Sequence, residues 1–305
     1  MSLPQDIRIT DVGPRDGLQN EKSVVSVGDK VAFINMLSLS GVAEIEVSSF
    51  VSPTWVPQLG DADEVFANIQ RREGVVYSAL VPNLKGLMRA LEVKLDKIAI
   101  FAAASETFSR KNINVTIDES IERYRMVVKE AKLSSLCVRG YISCAVACPY
   151  EGPIDPSRVR LVAQQLLDLG VDEIDLGDTI GVAVPTDIEL LYDELEGLLD
   201  PSQTTLHLHN TRGTALASVY RAMELGVFSF DASCGGLGGC PYAPGAAGNL
   251  ATEDLVYMCE QMDCQTGVDL EKLFAAGRHI TAALGRSLTS RVFNADGEET
   301  RTGNS

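Results

Sequence analysis

Short runs rich in Val and Ile alternate along the chain with longer amphipathic stretches. The runs have the length and β-branched content of buried strands, and the stretches carry apolar residues at helical spacing. The pattern predicts strands at 7–11, 44–47, 75–81, 97–102, 138–145, 173–176, 205–208 and 228–231. It predicts helices at 29–39, 117–131, 156–169, 185–198 and 215–225. Eight strands with helices between them indicate an α/β fold, the (β/α)8 or TIM barrel, with a doubly wound open sheet as the alternative.

The chain shows no obvious linker, repeat or low-complexity segment. We therefore predict a single barrel domain over residues 1–285, a length typical of TIM barrels. A loop and helix at 235–269 would form a small C-terminal appendix to the barrel. Residues 286–305 are expected to be a polar tail, frayed from residue 294 onward.

Composition narrows the class of protein. The 305 residues include 26 Lys and Arg against 42 Asp and Glu, a net charge of −16. This acidity argues against binding to nucleic acid or to anionic membranes, although the field of a cleft can still favour an anionic substrate. No apolar run approaches the length of a membrane span, and the first residues do not resemble a secretory signal. The seven Cys form no dense framework, so reduced thiols and a cytoplasmic location are expected.

Polar residues cluster where predicted strands end. In a barrel of this kind, the loops that follow the strands form the active site. Candidate groups follow the first, second, sixth and seventh predicted strands, and a glycine-rich stretch follows the eighth. They are Asp11, Arg15, Asp16, Glu46, Ser48, Asp175, Asp178, His207, His209 and residues 235–248. Charged or imidazole groups at four strand ends favour a catalytic barrel.

The pair His207 and His209 is the sharpest indication of a metal site. Alternate residues of a strand project to the same face, so both imidazoles point in one direction. The other interpretation is two histidines hydrogen-bonded to neighbours at the barrel mouth. Asp16 and Asn249 are oxygen donors available in other loops, although spacing alone does not select them. Oxygen ligands beside two imidazoles favour Mg²⁺ or Mn²⁺ over zinc.

The run Gly-Gly-Leu-Gly-Gly-Cys-Pro at 235–241 has several interpretations. It lacks the Gly-Lys-Ser/Thr end of a P-loop, which disfavours a phosphate cradle. A mobile lid that carries Cys240 is favoured, since glycines give such loops their freedom. On local grounds a buried structural thiol is an equal alternative for Cys240.

Several segments carry recognisable motifs. Residues 11–21 read Asp-Val-Gly-Pro-Arg-Asp-Gly-Leu-Gln-Asn-Glu, and residues 236–242 read Gly-Leu-Gly-Gly-Cys-Pro-Tyr, followed by Gly-Asn-Leu-Ala-Thr-Glu-Asp at 248–254. Together with segments at 140–152 and 176–181, they resemble the 3-hydroxy-3-methylglutaryl-CoA lyase family of metal-dependent TIM-barrel enzymes. The resemblance spans about residues 7–285. The cysteine loop distinguishes lyases from the condensing synthases of the wider group.

The resemblance implies an enzyme that cleaves 3-hydroxy-3-methylglutaryl-CoA to acetyl-CoA and acetoacetate. The implied reaction is a metal-assisted retro-Claisen cleavage within one pyruvate carboxyltransferase-like catalytic domain. The implied cofactor is Mg²⁺ or Mn²⁺, with Asp16, His207, His209 and Asn249 as ligands. The family also implies a homodimer or higher homo-oligomer, and a place in leucine degradation and ketone-body formation.

The same resemblance implies roles for five further side chains. Arg15 would bind substrate and meet the negative charge that develops on the thioester oxygen, with Gln19 as a second substrate contact. Asp178 would assist proton removal from the C3 hydroxyl, and Glu46 would hold Arg15 or the ligands of the metal. Cys240 would donate a proton to the acetyl carbanion.

Some positions depart from the family pattern. Asn210, Arg212 and the pair Cys234-Gly235 lie on loops that can border the acyl group. A lyase for a related 3-hydroxyacyl-CoA with a terminal carboxylate is therefore an open alternative. An acetyl-CoA-dependent condensing transferase is disfavoured by the cysteine loop. The intact set of candidate catalytic residues disfavours a non-enzymatic barrel that only binds acyl-CoA.

Overall fold

A computed structural model describes residues 3–239 and 248–296. Eight parallel strands close into a barrel: β1 (Arg8–Asp11), β2 (Glu44–Ser49), β3 (Val76–Leu80), β4 (Lys97–Ala103), β5 (Cys137–Ser143), β6 (Glu173–Asp178), β7 (Thr204–Leu208) and β8 (Ser229–Ala232). Strand β1 pairs in parallel with both β2 and β8, which closes the ring. This closure confirms the predicted (β/α)8 barrel over the open sheet.

The outer layer consists of helices that connect the strands and of three helices that follow the last strand. They are α1 (Val27–Ser40), α2 (Ala62–Asn68), α3 (Leu84–Glu92), α4 (Glu106–Ile113), α5 (Ile117–Leu133), α6 (Pro156–Leu169), α7 (Pro185–Leu195), α8 (Ala215–Glu224), α9 (Thr252–Gln261), α10 (Leu270–Leu284) and α11 (Arg291–Asp296). Local sequence fixes several of their ends: Thr116 and Glu119 form a capping box before α5, and Gly41 ends α1 in the left-handed region. Among the described residues, no helix is both long and apolar enough to cross a membrane.

The predicted strands match the observed ones to within two residues at each end. The sequence pattern misses α2, α3, α4, α10 and α11. All of these except α10 are nine residues or shorter, so they fall below the window in which helical periodicity is clear.

The C-terminal part of the chain packs against the barrel. Helix α9 lies within the predicted appendix, and α10 follows it and packs along α1. Leu288, Ser290 and Phe293 are buried, and the Phe293 ring lies 6.1 Å from the ring of Phe274 in α10. Packed structure therefore continues beyond the expected domain end at residue 285, as far as Phe293.

Buried ions fill the barrel at the amino ends of the strands. Glu44 Oε2 accepts hydrogen bonds from Arg8 at 2.7 Å, from Lys97 at 2.7 Å and from Arg139 at 3.3 Å. Lys97 and Arg139 also donate to Glu173, at 2.8 and 3.1 Å. Because each charge has partners of opposite sign, these side chains form a rigid layer below the barrel mouth.

Candidate active site

The turn after β1 presents Arg15 and Asp16 at the carboxyl end of the barrel. Residues Gly13–Gly17 form one π-helical turn that begins directly after the strand. The carboxylate of Asp11 accepts the Gly13 N–H at 2.9 Å and so fixes where the turn starts. Two adjacent charged side chains are thereby directed into the barrel mouth.

Arg15 is held between two carboxylates. Its Nε donates to Glu46 Oε2 at 2.5 Å and its Nη1 donates to Asp16 Oδ1 at 2.8 Å. Burial opposes the charge of Arg15, but Glu46 and Asp16 outweigh it and raise the pKa of the guanidinium. Burial likewise opposes the charge of Asp16, but Arg15 outweighs it and holds the pKa of Asp16 well below its usual range. At Glu46 burial wins over Arg15, and the pKa of Glu46 is raised. Arg15 is thus a permanent cation with a fixed orientation.

His207 and His209 project from the end of β7 into the same region. Their ring centroids are 5.4 Å apart. His207 Nδ1 lies 3.0 Å from Asp231 Oδ2, and His207 Nε2 lies 3.9 Å from Asp16 Oδ2. Burial would lower the pKa of His207, but the hydrogen bond to Asp231 raises it. Burial lowers the pKa of His209 to about 4, with His207 adding to the shift. His209 is therefore neutral at pH 7 and has a lone pair to offer.

Asn249 joins the cluster from the residues that follow the glycine-rich stretch. Its Nδ2 donates to Asp16 Oδ2 at 2.9 Å and to the Leu237 carbonyl at 3.1 Å. A backbone bridge pairs it with His209. Its Oδ1 and the Nδ1 of His209 are buried, with no hydrogen-bond partner among the described residues. The four residues expected as metal ligands therefore come together.

This donor set fits a divalent cation. One ligand atom from each of Asp16, His207 and His209 lies within 4.8 Å of the others. A carboxylate, two imidazoles and an amide oxygen are ligands that Mg²⁺ and Mn²⁺ accept. Buried polar atoms without a partner are costly in free energy, and a cation at this position would satisfy some of them.

Asp175, His207 and Asp231 form a second group with ligand-like spacing. A guanidinium already lies against it, because Arg139 Nη1 is 3.0 Å from Asp231 Oδ1 and 3.6 Å from Asp175 Oδ2. The geometry therefore favours Arg139 as the cation at this lower position. The group that fits a metal ion is therefore the one nearer the barrel mouth, formed by Asp16, His207 and His209.

Asp231 and Tyr141 are site residues that the sequence prediction misses. Asp231 Oδ2 accepts a hydrogen bond from the Tyr141 hydroxyl at 3.2 Å as well as contacting His207. The Tyr141 ring lies under Arg15, with the guanidinium carbon 5.5 Å from the ring centroid. An Asp inside the predicted strand 228–231 is the available signal, since a charge within a buried strand needs a partner.

The other predicted residues are distributed differently. Asp178 does not reach the cluster, because its carboxylate accepts the N–H groups of Val182 at 3.2 Å and Ala183 at 2.8 Å. It closes the loop after β6 instead. Gln19 lines the cavity above the cluster. Cys240 lies outside the described residues.

A cavity of about 670 Å³ opens at the carboxyl ends of the strands. Arg15, Asp16, His207 and His209 line it together with apolar side chains from the β3, β4, α4 and α5 region, namely Leu80, Phe101, Phe108, Ile113 and Tyr124. A pocket with a few convergent polar groups among apolar walls is typical of a small-molecule site.

A family model described as HMGL-like matches residues 6–280. This chain belongs to the HMGL-like family. A hydroxymethylglutaryl-CoA lyase of Pongo abelii, named as mitochondrial, is 49% identical over 294 residues, which cover 96% of this chain and 90% of that protein. A Pseudomonas aeruginosa protein named 3-hydroxy-3-isohexenylglutaryl-CoA/hydroxy-methylglutaryl-CoA lyase is 48% identical over 295 residues, covering 97% of this chain and 98% of its own. The crystal structure of hydroxymethylglutaryl-CoA lyase from Pseudomonas aeruginosa superposes with a TM-score of 0.95 at 47% identity, covering 97% and 98% of the two chains.

Membership of the HMGL-like family confirms the resemblance seen in the motifs. The matched range extends from before β1 into α10. It includes the turn that carries Arg15 and Asp16, the two histidines and Asn249. The range that shows family membership therefore contains the residues that form the described site.

Proposed function

We propose that this chain cleaves 3-hydroxy-3-methylglutaryl-CoA to acetyl-CoA and acetoacetate by a metal-assisted retro-Claisen step. One observation carries the proposal: an oriented, buried Arg15 lines one cavity with Asp16, His207 and His209, and Asn249 joins this donor cluster through its hydrogen bond to Asp16. The relatives named as lyases of this thioester support the choice of substrate.

We assign Mg²⁺ or Mn²⁺ to that donor cluster. When bound, such a cation lowers the pKa of a substrate hydroxyl and orients it by chelation. Asp231 orients the His207 ring for metal binding, because its contact with Nδ1 of His207 leaves Nε2 as the nitrogen that faces Asp16.

Arg15 is assigned to the oxygen of the thioester. Its Nε and Nη1 are occupied by Glu46 and Asp16, and no hydrogen bond from Nη2 is found among the described residues. Nη2 can therefore donate to the thioester oxygen as the acetyl group acquires enolate charge. Glu46 and the Tyr141 ring hold the guanidinium plane in place.

Three further residues have proposed roles. We assign Asp178 to positioning rather than proton transfer, because it holds the loop in which Thr179 lines the cavity. Gln19 is a substrate contact on the cavity wall. Cys240 is proposed as the donor of a proton to the acetyl carbanion, on the basis of the family resemblance.

A coupled assay of acetyl-CoA release tests the proposal. Chelation by a 3-hydroxyl and a terminal carboxylate predicts cleavage of 3-hydroxy-3-methylglutaryl-CoA and none of 3-hydroxybutyryl-CoA, which lacks that carboxylate. Activity should vanish in metal-stripped protein and return with Mg²⁺ or Mn²⁺. Equal rates on the two thioesters, or full activity in protein shown by elemental analysis to be metal-free, would overturn the chelation mechanism.

A lyase for a longer 3-alkyl analogue is the second candidate. The apolar side chains of the cavity and the isohexenyl substrate named for the Pseudomonas aeruginosa relative favour it. A methylene in an apolar pocket changes selectivity by about 1–3 kcal/mol, so few substitutions separate the two preferences. Values of kcat/KM for the methyl and isohexenyl thioesters distinguish them. A condensing transferase would instead consume acetyl-CoA when given a 2-oxo acid.

Family resemblance also leads us to propose a homodimer or higher homo-oligomer, a cytoplasmic location, and a role in leucine degradation and ketone-body formation. The Pongo abelii relative is named as mitochondrial and a Rattus norvegicus relative as cytoplasmic, so location varies within the family. Light scattering after size exclusion measures the assembly, and fractionation of the source cells locates the protein.

A further inference from the structure

The segment between α10 and α11 contacts two of the loops that carry the catalytic site, the loop after β1 and the loop after β8. We name residues 286–290 the C-terminal brace. Its far end is fixed by Asp254, whose Oδ1 accepts hydrogen bonds from Ser290 Oγ at 2.8 Å and from the Val292 N–H at 2.9 Å. A segment expected to be a polar tail is therefore anchored in the body of the protein.

The first contact of the brace is with the loop after β1. Arg286 forms a two-pronged ion pair with Glu21, in which Nε lies 3.1 Å from Oε2 and Nη2 donates to Oε1. The Glu21 side chain is 12% exposed, so solvent screens this pair less than an ordinary surface pair. Glu21 directly follows Gln19 and Asn20, which line the cavity. The pair therefore fixes the backbone that presents two cavity residues.

The second contact is with the start of the glycine-rich stretch. The N–H groups of Thr289 and Ser290 donate to the Gly235 carbonyl at 3.0 and 3.1 Å, and Thr289 Oγ1 donates to the Gly236 carbonyl at 3.1 Å. Gly235 has a φ of +67°, and a Cβ at this position would overlap the Leu288 side chain. Only glycine fits this close approach.

This second contact leads directly to the donor cluster. Gly236 precedes Leu237, whose carbonyl accepts the Asn249 Nδ2 at 3.1 Å. The other hydrogen bond of Nδ2 is to Asp16. The position of the Leu237 carbonyl therefore helps to set the orientation of the Asn249 amide.

We propose that the C-terminal brace positions the catalytic site through two separate arms. Arg286 acts through Glu21 on substrate binding, and Thr289 acts through Gly236 and Leu237 on metal binding. The inference rests on the proposed roles of the cavity and of Asn249. Arg286 and Thr289 are positioning residues, since each acts through another group.

The Arg286 arm is tested with Arg286→Gln, Glu21→Gln and the exchanged pair Glu21→Arg with Arg286→Glu. Loss of the ion pair should raise KM for 3-hydroxy-3-methylglutaryl-CoA about tenfold and leave kcat within about twofold, because misplaced binding groups weaken substrate positioning. The exchanged pair should return KM most of the way to the wild-type value. Arg291→Gln is the matched control, since Arg291 is exposed and lies just beyond the brace. If Arg286→Gln fails to fold, Glu21→Gln removes the same pair.

The Thr289 arm is tested with Thr289→Val, which keeps the shape and removes the hydroxyl. Calorimetric titration of metal-free protein with Mn²⁺ should show affinity reduced about three- to tenfold, with KM at saturating metal unchanged. Equal Mn²⁺ affinity in Thr289→Val and wild type, or equal KM in Arg286→Gln and Arg291→Gln, would overturn the corresponding arm. Failure of wild type to cleave the thioester would overturn the proposed function, while the Mn²⁺ titration would still decide the metal arm.

Discussion

At the scale of single residues, the site depends on charges that are buried together. Arg15 and Glu46 are 7% and 1% exposed, and the structure supplies each with a fixed partner. Removing one member of such a pair leaves the other charge buried without compensation, so single substitutions have large effects.

Arg15→Gln should lower kcat by about 10²–10³-fold with a smaller change in KM, because Arg15 is assigned to charge that develops only in the transition state. Arg15→Lys should not restore the rate, since one ammonium lacks the planar fork that bonds Glu46 and Asp16 at once. Steady-state kinetics at saturating metal measure both. A rise in KM without a loss of kcat would make Arg15 a binding residue only.

Asp231→Asn should weaken Mn²⁺ binding about 10–100-fold, because the amide does not hold the His207 imidazole as the carboxylate does. Calorimetric titration of the metal-free protein measures the affinity without any need for turnover. Asp193→Asn, an exposed change on α7, is the control. Wild-type affinity in Asp231→Asn would show that His207 is oriented by its other neighbours.

At the scale of elements, the strands and the polar residues at their ends could be predicted from the sequence. Apolar runs show in local sequence where strands lie, and in a TIM barrel the active site forms in the loops that follow them. The residues that these side chains contact could not be predicted. Asp231 contacts His207 across 24 positions, and Arg286 contacts Glu21 across 265. No local period encodes such contacts. The hydrogen bonds that Asp178 accepts from the loop after β6 are equally absent from the local pattern, because they follow from loop conformation.

Two buried acids stand where the loops after β1 and β8 begin. Asp11 accepts hydrogen bonds from the Gly13 N–H and from Thr252 Oγ1, at 2.9 and 2.8 Å. Both oxygens of Glu253 accept the Gly235 N–H at 2.8 Å. Burial raises the pKa of Asp11 to about 7 and that of Glu253 to about 8. The start of each loop is therefore hydrogen-bonded to an acid that titrates near neutral pH.

Glu253→Gln should flatten the pH dependence of stability above pH 6. An acid with a higher pKa in the folded state stabilises the fold below its unfolded pKa, near the ordinary value of 4.5, and this contribution is lost as pH rises towards 8. The free energy of unfolding of wild type should thus fall more steeply between pH 6 and 8 than that of Glu253→Gln. Urea unfolding at several pH values measures the slopes, with Glu260→Gln, an exposed change on α9, as control. Parallel slopes would show that Glu253 does not titrate in this range.

At the scale of the whole molecule, the net charge of −16 opposes the approach of an anionic acyl-CoA. The cavity itself carries Arg15 and Arg123, so attraction near the site competes with repulsion at long range. The repulsion by the net charge acts over a longer distance than the attraction by the cavity arginines. The Debye length is about 30 Å at 0.01 M salt and about 8 Å at 0.15 M, so salt removes the long-range term first.

We therefore expect kcat/KM for 3-hydroxy-3-methylglutaryl-CoA to rise several-fold between 0.01 and 0.15 M ionic strength, within the range that electrostatic steering covers. The measurement is made at fixed, saturating Mg²⁺, so that salt does not change occupancy of the metal site. NaCl and KCl should give the same curve, which separates screening from specific ion binding. Since kcat is measured on the bound complex, it should change little. A fall in kcat/KM over the same range would mean that the arginines of the cavity, rather than the net charge, govern the encounter.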